Sequence, residues 1–224
     1  WPTASAITFG QALSDSTLSG GSASVAGSFA FDAPGTAPDA GTDAQAVTFT
    51  PTDTDNYTTV AGNVNVTVNK ASPVILQWPT ASAITYGQAL SDSTLSGGSA
   101  SVPGEFAFDS PATSPNAGTN AQTVAFTPTD SDNYHIVAGN VDVTVNKATP
   151  TVSQWPAASA ISYGQTLADS ALTGGTASVA GAFAFDSPTT APGTGTYSAD
   201  VTFTPTDADN YNTVSGSVDV TVGI

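Results

Sequence analysis

Hydrophobic and polar residues alternate with a period of two in several short stretches of this chain. Three stretches show the alternation most clearly: GEFAFDS at 104–110, QTVAFTPT at 122–129 and NVDVTVNK at 140–147. In the last of them Val141, Val143 and Val145 share one face, and the residues between them are polar. This period is typical of strands that bury one face, so we predict a β-strand in each stretch.

Segments rich in turn-forming residues separate these strands from shorter apolar ones. ASPVILQW at 71–78 and SAITYG at 82–87 are predicted as further strands, and SGGSAS and SPATSPNAGTNA as turns. Leucine, glutamate, lysine and arginine, which favour helices, are scarce in this chain. The pattern therefore favours β-strands and gives little support to helices.

The whole pattern occurs three times at an interval of 77 residues. Trp1, Trp78 and Trp155 mark the interval, and residues 1–70 are identical to residues 78–147 at 56 of 70 positions. A period of this length fits an independent small domain better than a solenoid repeat or a propeller blade. We predict three modules, which we call the first, second and third repeat: 1–70, 71–147 and 148–224.

About seven short strands in each repeat predict the fold class. We expect an all-β chain of three tandem immunoglobulin-like β-sandwich modules. The first repeat begins at Trp1 and lacks a counterpart of 71–77, which we interpret as the opening strand. The junctions NKASP at 69–73 and NKATP at 146–150 are short, so we expect the modules to lie end to end with limited bending.

Charge and composition exclude several classes of partner. The net charge is −16, with two lysines and no arginine, so binding to nucleic acid or to anionic membranes is not expected. No apolar run approaches the roughly 20 residues of a membrane helix, and we expect no membrane insertion. The absence of cysteine excludes disulfides and thiolate metal sites.

An acidic turn recurs in every repeat, as TPTDTDNY, TPTDSDNY and TPTDADNY. One interpretation is structural: the first aspartate caps the turn, the asparagine tolerates a left-handed conformation, and the tyrosine buries its ring as in a tyrosine corner. The tyrosines of this predicted corner are Tyr57, Tyr134 and Tyr211.

The other interpretation of this turn is a weak calcium site. Oxygen-rich loops suit Ca²⁺, but six or more ligands cannot come from this window alone, and the EF-hand pattern is absent. The candidate ligands are Asp53, Asp55, Asn56, Asp130, Asp132, Asn133, Asp207, Asp209 and Asn210. Calcium is the one cofactor that the sequence suggests, and we favour the structural interpretation.

Other candidate sites are weaker. The single histidine, His135, is replaced by Thr58 and Asn212 in the other repeats, so a recurring catalytic triad is excluded and no enzyme is expected. The three tryptophans could stack on sugars. Because each follows a strand and precedes a proline, we expect them instead to pack at module boundaries.

The segments Ile84–Gly87, Phe126–Asp130 and Val145–Ala148, with the pair Trp78-Pro79, resemble bacterial immunoglobulin-like repeats. More narrowly, they resemble the group labelled MBG or Ig-like group 3. The resemblance covers nearly the whole chain and implies tandem modules of a large exported surface protein without catalytic activity.

From this resemblance we expect an extracellular or cell-surface location and a role as an extended stalk or adhesin shaft. Two alternatives remain open. A sandwich without its opening strand exposes unpaired backbone groups, so a head-to-tail filament could form by strand complementation between identical subunits. A module that binds a cell-surface glycan or protein is the other alternative. The expected partners are therefore neighbouring modules, identical subunits, or a surface glycan or protein.

Overall fold

The computed structural model describes the whole chain, Trp1–Ile224, which consists of short β-strands joined by turns. The first repeat has six strands: β1 (Thr3–Ala4), β2 (Ile7–Thr8), β3 (Leu18–Ser19), β4 (Gly27–Phe31), β5 (Gly41–Pro51) and β6 (Val60–Asn69). The second has eight: β7 (Ile75–Gln77), β8 (Thr80–Ala81), β9 (Ile84–Thr85), β10 (Leu95–Ser96), β11 (Ser99–Ala100), β12 (Gly104–Phe108), β13 (Gly118–Pro128) and β14 (Val137–Asn146). The third also has eight: β15 (Val152–Gln154), β16 (Ala157–Ala158), β17 (Ile161–Ser162), β18 (Leu172–Thr173), β19 (Thr176–Ala177), β20 (Gly181–Phe185), β21 (Gly195–Pro205) and β22 (Val214–Gly223).

Each repeat also contains one short 3-10 helix: Leu13–Asp15, Leu90–Asp92 and Leu167–Asp169. A carboxylate closes each of these turns on its own backbone; in the first, Asp15 Oδ2 accepts from the N–H of Ala12 at 3.0 Å. The leucine of each helix is buried. The predicted all-β class is confirmed.

The first and third repeats share one sheet layout. A four-stranded sheet has the order β2-β6-β5-β4 in the first repeat and β17-β22-β21-β20 in the third. Its first two strands are parallel, with Ile7 opposite Val68, and its other pairs are antiparallel. Smaller antiparallel pairs, β1 with β3 and β16 with β18, form the second layer. Two layers around a shared core make a β-sandwich.

The chain divides into two compact units, and the division runs through the second repeat. The first unit contains 1–80, 95–109 and 123–140, and the second contains 81–94, 110–122 and 141–224. In the first unit β12 pairs with β13 and β7 with β11, both antiparallel; in the second, the end of β14 pairs with β9 in parallel. Each unit therefore contains one end repeat together with its junction to the second repeat. The module boundaries at 70 and 147 remain a prediction.

The predicted alternation of faces is confirmed. In β14 the side chains of Val141, Val143 and Val145 are buried, and those between them are exposed. In β13, Val124 and Phe126 are buried in the same way. The period-two pattern therefore identified the core positions of these strands.

Small aliphatic side chains dominate the cores. The buried cluster of the first repeat consists of Ile7, Leu13, Phe31, Val47, Val64, Val66 and Val68. That of the third consists of Ile161, Leu167, Ala199, Val220 and Val222. Valine and isoleucine suit strands because their branched side chains pack well on a pleated surface.

The opening strand is present in two repeats. β7 pairs with β11 in the second repeat, and β15 pairs with β19 in the third. In the first repeat the segment that corresponds to β11, residues 22–23, is not in a strand. The missing opening strand of the first repeat stays a prediction.

Strand lengths differ from the prediction in two places. Within 71–78 only Ile75–Gln77 is a strand, because Pro73 has no N–H to donate to a ladder. The strand predicted over 122–129 begins earlier, at Gly118, because the polar half of β13 continues the ladder beyond the hydrophobic half. Alternation marks only the part of a strand that covers a core.

Candidate functional site: the joint between repeats

The acidic turn follows the long strand that ends at a buried proline, and its aspartate caps it. In the second repeat the Asp130 carboxylate accepts the N–H of Asn133 at 3.2 Å and its side-chain Nδ2 at 3.0 Å. The N–H of Tyr134 donates to the Asp130 carbonyl oxygen at 3.1 Å. The same bonds occur at Asp207 in the third repeat. The turn is closed by its own side chains.

The first repeat builds the same turn in a fully exposed setting. The side-chain amide of Asn56 donates to Asp53 Oδ2 at 2.9 Å. This bond, followed by the backbone N–H groups of Asn56 and Asp55, holds the pKa of Asp53 below its ordinary value. The cap therefore forms in the first repeat without any contact to another repeat.

Asn133 connects this turn to the preceding repeat. Its Oδ1 accepts the backbone N–H of Ala40 at 2.7 Å, and its Nδ2 donates to Asp39 Oδ1 at 3.3 Å. Both partners lie in the loop before β5, more than 90 residues earlier in the chain. Asn133 is buried, with 8% of its surface exposed. One amide thus bonds at once to its own turn and to a loop of the repeat before it.

Main-chain bonds and a lysine attach the linker to the same turn. Ala71 donates its N–H to the carbonyl of Asn133 at 2.9 Å and accepts the N–H of His135 at 2.9 Å. Lys70 Nζ donates to the carbonyl of Ser131 at 2.7 Å. The linker residues are therefore bonded to both sides of the turn.

An aromatic pair completes the contact. The rings of Phe9 and Tyr134 meet edge to face, with centroids 5.3 Å apart and planes at 80°. Edge-to-face pairs are favourable because the positive ring edge meets the negative face of the other ring. We call this set of contacts the joint: the acidic turn of one repeat with the linker and the loop of the repeat before it.

The second joint repeats the first, contact for contact. Asn210 Oδ1 accepts the N–H of Ala117 at 2.8 Å, and Lys147 Nζ donates to the carbonyl of Ala208 at 2.7 Å. Tyr86 and Tyr211 meet edge to face at 5.3 Å. Asn210 is 7% exposed. Both lysines of the chain are thus engaged in joints.

The structure changes the interpretation of the tyrosines. We expected each ring to be buried in its own repeat as a tyrosine corner, but Tyr57 is 49% exposed. Tyr134 and Tyr211 are half-buried, and their rings contact the preceding repeat instead. Local sequence predicted the turn around them and missed the partner, because that partner lies in another repeat.

The calcium interpretation receives no support from the donor geometry. The amide oxygens of Asn133 and Asn210 already accept backbone N–H groups, so they face the preceding repeat. The structure contains no group of three acidic or histidine side chains placed to hold a metal ion. The proposed ligation by Asp53, Asp55, Asn56 and their counterparts stays a prediction.

We expect calcium to leave the thermal stability unchanged. Adding millimolar Ca²⁺ should move Tm by less than about 1 °C, because an ion stabilises a fold only when the native state binds it. Calorimetry with Ca²⁺, with Mg²⁺ and with EDTA measures the effect. A rise of several degrees with Ca²⁺ alone, lost in Asp132→Asn, would restore the calcium site.

The tryptophans pack inside their own repeats. Trp78 meets Phe106 edge to face, with centroids 5.8 Å apart, and its ring lies against Gly139 of β14 so closely that a Cβ there would overlap it. Trp155 repeats the arrangement with Phe183 and Gly216. The prediction of a packing role agrees with these contacts, but the predicted place, a module boundary, was wrong.

Sequence reasoning missed the residues that the joint takes from the preceding repeat. A signal was present: the first two repeats read PDAGT and PNAGT and end in NK, whereas the third reads PGTGT and ends in GI. The third repeat thus has a different sequence at the positions where the first two contribute a loop and a lysine to a joint. The structure also contains no helix long and apolar enough to cross a membrane.

Comparisons with known proteins identify similar tandem β-domains. No protein-family model and no curated protein matches the chain. It is similar to Drosophila N-cadherin EC1-3, at 12% identity and a TM-score of 0.25, over 81% of this chain and 76% of that one. It is also similar to Sidekick-1 immunoglobulin domains 1–5, at 14% identity and a TM-score of 0.25, over 86% of this chain and 49% of that one. A third similarity is to a SusE-like surface located polysaccharide binding protein of Bacteroides thetaiotaomicron, at 11% identity and a TM-score of 0.26, over 80% of this chain and 43% of that one. The chain spans about half the length of Sidekick-1 immunoglobulin domains 1–5 and less than half of the polysaccharide binding protein.

Proposed function

We propose that this chain is a structural, non-enzymatic repeat region of an exported bacterial surface protein, of the MBG or Ig-like group 3 type, and acts as an extended stalk or adhesin shaft. The observation that carries the proposal is the joint, which is built twice from the same contacts. A spacer has to transmit force and keep its two ends a fixed distance apart. Bonds between neighbouring repeats serve both purposes because they resist bending.

The chemistry of the joint suits a spacer. Most of its hydrogen bonds are made by backbone groups, and the others by one buried amide and one lysine. The joint therefore depends little on which side chains cover the rest of each repeat. Buried polar groups with their partners in place fix geometry, because a shifted arrangement would leave them unpaired. A joint of this kind restricts bending between the repeats it connects.

The charge of the chain agrees with a location exposed to solvent. A net charge of −16 disfavours self-association of surfaces by repulsion. Both lysines lie at joints, so the remaining surface is almost entirely neutral or acidic. We therefore place the chain at the cell surface or outside the cell, with neighbouring repeats as its first partners.

Removal of the joint amides tests the proposal. Small-angle scattering should show a broader distribution of dimensions for the double variant Asn133→Ala/Asn210→Ala than for the unchanged protein. Asn56→Ala is the matched control, because it removes the same side-chain bond to the capping aspartate where no joint exists. Equal distributions for all three proteins would mean that the joints do not restrict bending, and the proposal would lose its support.

The location needs a separate experiment. In cells that produce the full-length protein, an antibody against residues 1–224 should bind before permeabilisation, and added protease should remove the epitope from intact cells. An epitope that is accessible only after permeabilisation would contradict the surface location. It would not affect the conclusion that the joints restrict bending.

A further inference from the structure

A groove lies beside the acidic turn of the second repeat. It has a volume of about 340 Å³ and is lined by five residues: Val102, Pro103, Thr129, Asp130 and Tyr134. Two of them are aliphatic and one is aromatic, and Asp130 is the only one with a charge. A groove of this composition suits a side chain that is apolar along its length and cationic at its end.

The carboxylate of Asp130 can accept more hydrogen bonds than the turn provides. It accepts the N–H of Asn133 at 3.2 Å and its Nδ2 at 3.0 Å. An ionised carboxylate has about four acceptor positions, so about two of them stay open. The chain contains no arginine, and both of its lysines donate to backbone carbonyls in the joints. A cationic side chain for this groove therefore has to come from another kind of molecule.

Two exposed apolar side chains flank the residues that line the groove. The N–H of Ser101 donates to the carbonyl of Val74 at 2.9 Å, and Ser101 directly precedes Val102 in the chain. On the other side, Ile136 follows Tyr134 by two residues. Val74 is 60% exposed and Ile136 is 61% exposed. The groove thus has an apolar side chain near each of its two walls.

The fold does not require apolar residues at these two flanking positions. In the third repeat Val74 is replaced by Thr151, and Ile136 is replaced by Thr213. Thr151 nevertheless makes the same two hydrogen bonds to the neighbouring serine as Val74 does. Exposed apolar side chains that the fold does not need, gathered around one groove, indicate a contact surface.

We propose that this groove binds an arginine side chain of a partner protein, from a segment in which apolar residues flank the arginine. The aliphatic stem of the arginine lies against Val102 and Pro103, and its guanidinium pairs with Asp130 beside the ring of Tyr134. The flanking apolar residues of the partner cover the two exposed side chains next to the groove. This surface goes beyond the spacer function, because a spacer needs no ligand there.

Charge determines which occupant fits the groove. The net charge of −16 attracts cationic partners and repels a second copy of the chain. Arginine fits better than lysine, because its planar guanidinium pairs with a carboxylate through two hydrogen bonds and also stacks on an aromatic ring. Arginine is also among the residues that contribute most to the affinity of protein interfaces.

Short peptides test the site. In an NMR titration of the 224-residue protein, the capped peptide GLRLG should shift the amide signals of Val102, Thr129 and Tyr134. It should bind at least about fivefold more tightly than the same peptide with citrulline in place of arginine, since citrulline keeps the shape and loses the charge. The peptide GSRSG should bind about threefold more weakly than GLRLG, because serine leaves the flanking apolar side chains uncovered.

Variants of the protein test the role of the carboxylate. Asp130→Asn should weaken the binding of GLRLG about fivefold, because asparagine still caps the turn but has no charge. Asp207→Asn is the matched control, since it makes the same change in the turn of the third repeat, and it should leave the affinity unchanged. Pro103→Ala introduces the residue of the third repeat, Ala180. It should weaken binding about twofold without touching the turn, because part of the apolar wall is lost.

Four results would overturn the proposal. They are no shift with millimolar GLRLG, equal affinity for the citrulline peptide, equal affinity for GSRSG, and equal losses in Asp130→Asn and Asp207→Asn. The last result would mean that arginine binds to acidic turns in general. Shifts of the same amide signals on concentrating the protein alone would also contradict the proposal and assign the groove to a second copy of the chain.

Discussion

Replacement of Asn133 by alanine is expected to weaken the first joint by about 2 kcal/mol, because the Ala40 N–H loses its acceptor in a half-buried position. This is about a thirtyfold increase in the population of the open joint. Amide exchange at Ala40 measures that population directly, since its N–H is protected only while the joint is closed.

The repeats provide a matched control for this experiment. Asn56→Ala removes the same side-chain bond to the capping aspartate in the first repeat, where the asparagine is exposed and bonds only to Asp53. We expect a loss of about 0.5 kcal/mol there, which is the contribution of that bond within the turn alone. If the two variants lost equal stability, Asn133 would act only within its own turn and the joint would not depend on it.

Replacement of Gly139 by alanine is expected to destabilise the second repeat by about 1–3 kcal/mol, because the added Cβ overlaps the indole of Trp78 and forces the ring away from β14. The displaced ring becomes more exposed to water, so tryptophan emission should move to longer wavelength. Thermal unfolding and fluorescence measure the two effects.

Gly35→Ala is the control for this change. A Cβ at Gly35 meets no atom within 4 Å, and the second repeat already has alanine at the corresponding position, Ala112. We expect a change within about 0.5 kcal/mol there. A double variant, Gly139→Ala with Trp78→Ala, should lose less than the sum of the two single variants, and additive losses would show that the ring and the glycine do not contact each other.

The strands could be predicted from the sequence because burial of one face produces an alternation of apolar and polar residues. The alternation in NVDVTVNK predicted the buried valines of β14, and the 77-residue interval predicted the three similar sandwiches. It gave no sign that β14 pairs in parallel with β9, because periodicity records which face is buried and contains nothing about the direction of the neighbouring strand.

The joint could be predicted only in part. The turn around Asp130 follows from local chemistry, and it was predicted. The contact of Asn133 with Ala40 spans 93 residues, and Asn56 has nearly the same local sequence without that contact. Because the two turns are nearly identical and only their surroundings differ, the local sequence of the turn does not reveal which of them makes the contact. The position of Trp78 over Gly139 was also missed, because a glycine in a strand does not indicate which ring packs against it.

The joint has a consequence for how such genes change. The second repeat contains both halves of the contact: the turn that bonds to the first repeat, and the loop, lysine and aromatic ring that contact the third. Duplication or deletion of this whole 77-residue segment would therefore regenerate the same bonds at the new boundary. The number of repeats could thus change without any compensating substitution.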